Sequence, residues 1–198
     1  MKKYIAAPVL LFLLLIAGIS CKKSFLEVLP KGKVVAVSYK DYELLLNNPD
    51  LLNVGTDAQL MMGDEVTCAE PYYSGLTLRE QRLFSWSGQV YQPDEESPET
   101  AGPLANIYTY NKIINEVMDA PDGTPEQKKA ILAEALAGRA WTYFLLINYY
   151  GKPYLAATAA SDPGFPVITT ADITVNHFSR ASVQEVYDFI TADLQKAL

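Results

Sequence analysis

Histidine occurs once in this chain, at His177, and cysteine twice, at Cys21 and Cys68. With one histidine, in a loop stretch after Asn176, neither a Ser-His-Asp triad nor a histidine-bearing metal cluster can be assembled. Cys21 stands directly behind a targeting segment, which leaves Cys68 without an internal disulfide partner. Cys68 therefore reads as a small, half-buried hydrophobe. Basic charge is also scarce: 16 Lys and Arg against 23 Asp and Glu give a net charge of -7. That balance excludes the basic footprint of a nucleic-acid binder and the polybasic surface that grips anionic lipid. Neither a glycine-rich phosphate loop nor EF-hand spacing is present. Carboxylates are plentiful, and Asp94, Glu95, Glu96 and Glu99 lie close in sequence. A glycosidase must hold two carboxyls rigidly across a scissile bond, and a proline-bearing acidic loop is a poor frame for that. Solvation is the expected state of these four groups. The chain is expected not to be an enzyme and to carry no catalytic residue, cofactor or metal.

The chain opens with a pattern that is not part of a fold. Lys2 and Lys3 precede an uncharged apolar stretch from Ile5 to Ile19. That stretch is shorter than the roughly 20 residues a membrane-crossing helix requires. Small residues and then Cys21 follow, which resembles a bacterial lipobox, although Gly18 stands where an aliphatic residue is usual. Residues 1–20 are expected to be a lipoprotein signal peptide, and Cys21 the lipidated mature N-terminus. Losing residues 1–20 removes two lysines and makes the chain more acidic still. Residues 21–37 form a tether and lead-in, and residues 38–198 a helical domain.

Helix signals in that domain are sharp. Ser38 to Asp41, Thr124 to Gln127 and Ser182 to Glu185 each read as a capping box, in which two backbone N–H groups are satisfied reciprocally. The first opens a short helix that Pro49 ends. Gly102-Pro103 reads as an N-cap followed by proline at the first helical position. Leu104, Ile107, Tyr108, Asn111, Ile114 and Met118 then recur at helical steps and predict a buried face. The Ser182 helix predicts an inward face of Val183, Val186, Tyr187, Ile190, Leu194 and Ala197. Between residues 50 and 100 no period holds, and one further helix is predicted around Ala58 to Met62. The pattern is mainly α, with helical pairs and long irregular loops.

The stretch "RAWTYFLLINYYGKPY", residues 139–154, closes the helix opened by Thr124. All-round apolarity in its second half predicts contact on several sides, as for a helix in the middle of a stack. Its length and Arg139 argue against a membrane span. Ala140 and Phe144, with Pro153 beyond, partly match the second helix of a tetratricopeptide unit. The run is expected to be mainly core, with Tyr149, Tyr150 and Tyr154 nearest a surface.

Several motifs in order resemble the N-terminal part of the SusD/RagB-type outer-membrane lipoproteins. They are "FLEVLPKG" after Cys21, "MGDE" at 62–65, "IYTYNKIINEV" with Ile107, Asn111 and Ile114, "EALAGRAWTYFLLINYYGKPY", and "RASVQEVYDFITADLQKAL" through Arg180, Tyr187, Asp193 and Leu194. Pro153 stands one place early, and Lys22 and Lys23 replace the acidic residues usual after the lipidated cysteine. The resemblance implies tetratricopeptide-like helical pairs, a lipid-anchored protein of the outer membrane, an oligosaccharide ligand, and a TonB-dependent transporter of the SusC type as partner. It also implies that the chain is an incomplete member, short at its C-terminal end. The apolar face of Val186, Tyr187, Ile190 and Leu194 is then expected to stay exposed and to drive self-association. Asn111, Glu134 and Arg139 are expected to be structural, the charged pair as ion-paired struts.

Sugars present flat C–H faces rimmed by hydroxyls, so exposed loop aromatics beside amides suit them. Trp86 and Tyr91, with Gln89 and Gln92, and Tyr72 with Tyr73 are the candidate ligand-binding residues. Trp86 could equally plug its loop onto the helices. The alternative function is a helical-repeat assembly or adaptor lipoprotein. Aromatics in the 70–92 region favour the first reading, and a groove lined by helix residues would favour the second.

Overall fold

The computed structural model describes residues 35–52, 54 and 57–198; the expected signal peptide, Cys21 and the "FLEVLPKG" stretch lie outside them. Six α-helices are formed among the described residues: α1 Tyr39–Leu46, α2 Asp57–Met61, α3 Leu78–Phe84, α4 Pro98–Glu116, α5 Pro125–Tyr150 and α6 Val183–Ala197. The three predicted capping boxes are all closed, at Ser38, Thr124 and Ser182. A fourth, between Thr77 and Glu80, opens α3, a helix not anticipated from the irregular stretch.

Contacts along the helices set their directions. Tyr150, at the end of α5, meets Ser97 and Thr100 at the start of α4. Arg139 meets Asn111 midway, and Lys128 reaches Ala120 beyond the end of α4. The two helices are therefore antiparallel. The α5–α6 pair runs the same way, because Arg139 bonds Asp193 while Tyr143 packs edge-on against Phe189 at 5.1 Å. Helix α5 passes the length and composition test for a membrane span, yet Ala135, Leu136, Ala140, Tyr143, Leu146 and Ile147 are buried inside the domain. Val183, Val186 and Ile190 of α6 close on the same core with Ile107, Ala159 and Phe165.

Three expectations need correction. Helix α4 begins at Pro98, not at Pro103, which lies buried within it. Its buried face is also wider than predicted and turned: Asn106, Tyr110, Ile113 and Val117 are inside, while Tyr108 and Met118 face out. The reason is packing on two sides. Asn106 bonds the Leu51 carbonyl on the α1 side, and Asn111 faces α5. The apolar face of α6 is likewise not left open, since Val186 and Ile190 fold back onto α5; only Leu194 of that face is exposed.

One buried polar cluster ties the three long helices together. The Arg139 guanidinium donates to both Asp193 oxygens, at 2.8 and 2.9 Å, and to Asn111 Oδ1 at 2.6 Å. Asn111 Nδ2 donates in turn to the carbonyls of Ile168 and Thr170, fastening the loop between α5 and α6. The Phe189 ring lies 4.8 Å from the guanidinium carbon. Arg139 and Asn111 are thus structural, as expected. Glu134 is not a strut; it is exposed and makes no ion pair among the described residues.

Candidate functional site

The four candidate aromatics divide into two pairs. Trp86 and Tyr72 are 64% and 76% exposed, while Tyr73 and Tyr91 are half-buried with their hydroxyls committed. Tyr73 donates to the Gln81 carbonyl at 3.1 Å, and Gln81 Nε2 donates to the Leu76 carbonyl. That exchange ties the Tyr72 segment to α3.

Trp86 sits just beyond the other end of α3, and its backbone explains its exposure. Its φ of 52° lies in the left-handed region. The Trp86 N–H donates to the Leu83 carbonyl at 3.1 Å, and Ser87 N–H to the Arg82 carbonyl at 2.9 Å. This pair of bonds is the Schellman closure of a helix, and the left-handed position within it is usually glycine. An L-residue there costs about 1–2 kcal/mol relative to a right-handed conformation. Trp86 therefore occupies a position where its indole is thrown outward. It does not plug its loop onto the helices.

The loop carrying Trp86 is fastened at its far end. Arg79 of α3 donates to Tyr91 Oη at 2.9 Å and Asp57 at 3.0 Å, and pairs with Glu99 in the first turn of α4. Glu99 also accepts from Tyr91 and from Ser97 Oγ at 2.9 Å, and Ser97 shares a 2.7 Å bond with Tyr150 Oη. Inside the loop, Arg82 bonds the Val90 carbonyl at 2.8 Å and Glu95 at 3.2 Å. Glu99 is only 2% exposed, so it is an anchor and not one of a solvated acidic group. Burial pushes its carboxyl up, but the bonds from Tyr91, its own backbone, Arg79 and Ser97 together hold it below the usual range. The helix N-terminus adds to that preference for negative charge. Tyr91 thus acts through its hydroxyl as a brace for the loop. Gln89 and Gln92 remain exposed beside it.

A further aromatic surface, outside the predicted candidates, lies on α5. Trp141 is 54% exposed and stacks on Phe144, with ring centroids 5.8 Å apart. The run is mainly core, as expected, but one side of α5 is open: Glu134, Ala137, Trp141, Phe144 and Asn148 form one exposed stripe. Their three- and four-residue spacing, bracketed by two polar residues, is the signal that could have found it.

Comparison with known proteins bears on what these surfaces do. A SusD-like family profile, described as "Starch-binding associating with outer membrane", matches residues 24–198. Among curated proteins none matches. A SusD superfamily protein from Bacteroides vulgatus superposes with a TM-score of 0.66 at 21% identity, over 82% of this chain and 37% of its own. A SusD superfamily protein from Bacteroides thetaiotaomicron gives 0.63 at 19%, with the same coverage. A second Bacteroides vulgatus structure, provisionally named a sugar binding protein, gives 0.63 at 22% over 83% of this chain and 37% of its own. The likeness shows the fold, and the chain spans 37% of the length of each of these structures.

Proposed function

Because the chain belongs to the SusD-like family of starch-binding proteins that associate with the outer membrane, we propose that it captures an oligosaccharide through the exposed rings of Trp86 and Tyr72, beyond the two ends of α3. The observation that carries this reading is the Trp86 backbone. A large aromatic is kept in a strained, glycine-type position that displays its ring to solvent, and strain of this kind concentrates at functional sites. The Arg79–Tyr91–Glu99 brace holds the loop in place before any ligand arrives, which lowers the ordering entropy lost on binding. Gln89 and Gln92 are exposed in the same loop and offer amide groups to sugar hydroxyls, although Gln89 Nε2 also donates to the Tyr91 carbonyl at 3.1 Å. The captured glycan is delivered to a TonB-dependent transporter of the SusC type, with the protein held at the outer membrane through a lipid on Cys21.

Two measurements test the two halves of this reading. On a polysaccharide array, wild-type protein is expected to bind at least one glycan class, starch first among them, and Tyr72→Ala to bind it several-fold more weakly, as for loss of a stacking contact of about 1 kcal/mol. An array on which no glycan is retained contradicts the proposal. For the anchor, Cys21→Ala is expected to move the protein from the membrane fraction to the soluble fraction. A variant that stays with the outer membrane after a salt wash shows that another contact holds it.

A further inference from the structure

A groove runs between α1 and α5, away from the residues assigned to the glycan. It has two connected parts, of about 360 and 260 Å³, which share Leu46 and Glu134 as lining. The larger part is aliphatic and aromatic, with Leu46, Leu51, Tyr110 and Ala137 along it and Trp141 at its edge. The smaller part is lined also by the polar side chains of Asn47 and Gln127. Gly138 makes the floor possible: a Cβ there would stand 2.5 Å from the Tyr110 ring, so only glycine lets that ring lie against α5.

Among the described residues, charge in the groove has one sign. Among them no lysine or arginine lines either part, and the carboxylates are Glu43 and Glu134. Glu43 already pairs with Lys40, whereas Glu134 makes no ion pair among the described residues. Glu134 stands where the two parts meet and is close enough to Tyr110 for its charge, after burial, to raise that phenol. We propose that this groove docks a segment of a protein partner that carries apolar side chains and a lysine or arginine, the apolar groups lying along Trp141 and the cation on Glu134. A sugar fits the larger part less well than an apolar side chain, because Leu46, Leu51, Leu52, Val54 and Ala137 offer its hydroxyls no partner and, among the described lining side chains, only Tyr110, Glu134 and the Trp141 N–H could. A protein segment fits both the aliphatic lining and the Glu134 carboxylate. This docking is independent of glycan capture, and either can fail without the other.

The test uses the purified chain with Trp86→Phe, which leaves Trp141 as the sole tryptophan of two. The probe is an acetylated amphipathic Leu/Lys peptide, compared with its counterpart bearing Glu in place of Lys. The Lys peptide is expected to give a saturable blue shift of Trp141 emission at least about tenfold below the concentration the Glu peptide needs. Glu134→Lys is expected to reverse that preference. The milder Glu134→Gln should weaken the Lys peptide about two- to fivefold, as for one exposed ion pair. Absence of a saturable shift with the Lys peptide overturns the proposal. So does indifference to both Glu134 variants, or an equal shift produced by a starch oligosaccharide.

Discussion

Arg139→Ala is expected to destabilise the domain by about 3–5 kcal/mol, the largest single effect in the chain. Its partner Asp193 is buried, and removal of the guanidinium leaves that carboxylate uncompensated. The same change strips Asn111 Oδ1 of its donor and takes the cation from the Phe189 ring. Native domains hold only about 5–15 kcal/mol in reserve, so much of it is consumed. For a domain of this size the midpoint should fall by roughly 10 °C, at about 2–4 °C per kcal/mol. Arg139→Lys should recover little, because a lysine cannot reproduce the two-pronged bond to Asp193. Urea unfolding of both variants checks this. A loss below about 1 kcal/mol would show that the cluster is not the tie between α4, α5 and α6.

Glu99→Gln is expected to cost about 2 kcal/mol, within the usual range for hydrogen bonds to a charged group. The amide can still accept from Tyr91 or Ser97, and Arg79 keeps Asp57, so the loss is smaller than at Arg139. The pH dependence separates this role from simple packing. The folded carboxyl lies below its ordinary value, so its stabilisation is present above that value and is lost as pH falls through the folded one. The acid limb of wild-type stability should therefore be steeper than that of Glu99→Gln. Parallel acid limbs would mean that the ionised form of Glu99 is not what fastens the loop. Glycan affinity should also fall in the variant at neutral pH while most of the protein is folded, because the Trp86 loop loses its brace.

Local features are the ones legible in the sequence. Capping boxes at Ser38, Thr124 and Ser182 depend on a few neighbouring residues, and they mark three helix starts correctly. The same pattern at Thr77–Glu80 is masked by the turn residues around it. Long-range pairing is harder to read. Glu99 stands in sequence as one of four acids, and nothing within its own stretch shows that Arg79 and Tyr91 converge on it. The rotated face of α4 has the same origin, since a helix gripped on two sides has no single apolar stripe. On α5, a run apolar on every side hides the fact that Trp141 and Phe144 share an exposed edge with Glu134 and Asn148. Among the candidate ligand-binding residues, Trp86 and Tyr72 are exposed as loop aromatics should be. Tyr73 and Tyr91 instead hold the framework through their hydroxyls. The left-handed backbone at Trp86 has no signal in sequence, because glycine is the usual marker of that turn and tryptophan stands in its place.

That substitution supplies the most direct test of glycan capture. Trp86→Gly places the favoured residue in the Schellman position, relieving about 1–2 kcal/mol of left-handed strain. The added freedom of glycine in the unfolded chain offsets about 0.5–1 kcal/mol of this. The melting temperature should therefore stay within a few degrees of wild type. Removal of an aromatic platform at a binding centre costs at least about 2 kcal/mol, so affinity for the glycan that wild type retains should fall about thirtyfold or more. Melting and glycan titration on the same sample separate a binding role from a structural one. An unchanged melt with lost affinity is the expected result. Wild-type affinity in Trp86→Gly, or a melt lowered by about 10 °C or more, would contradict the assignment of Trp86 as the displayed binding surface.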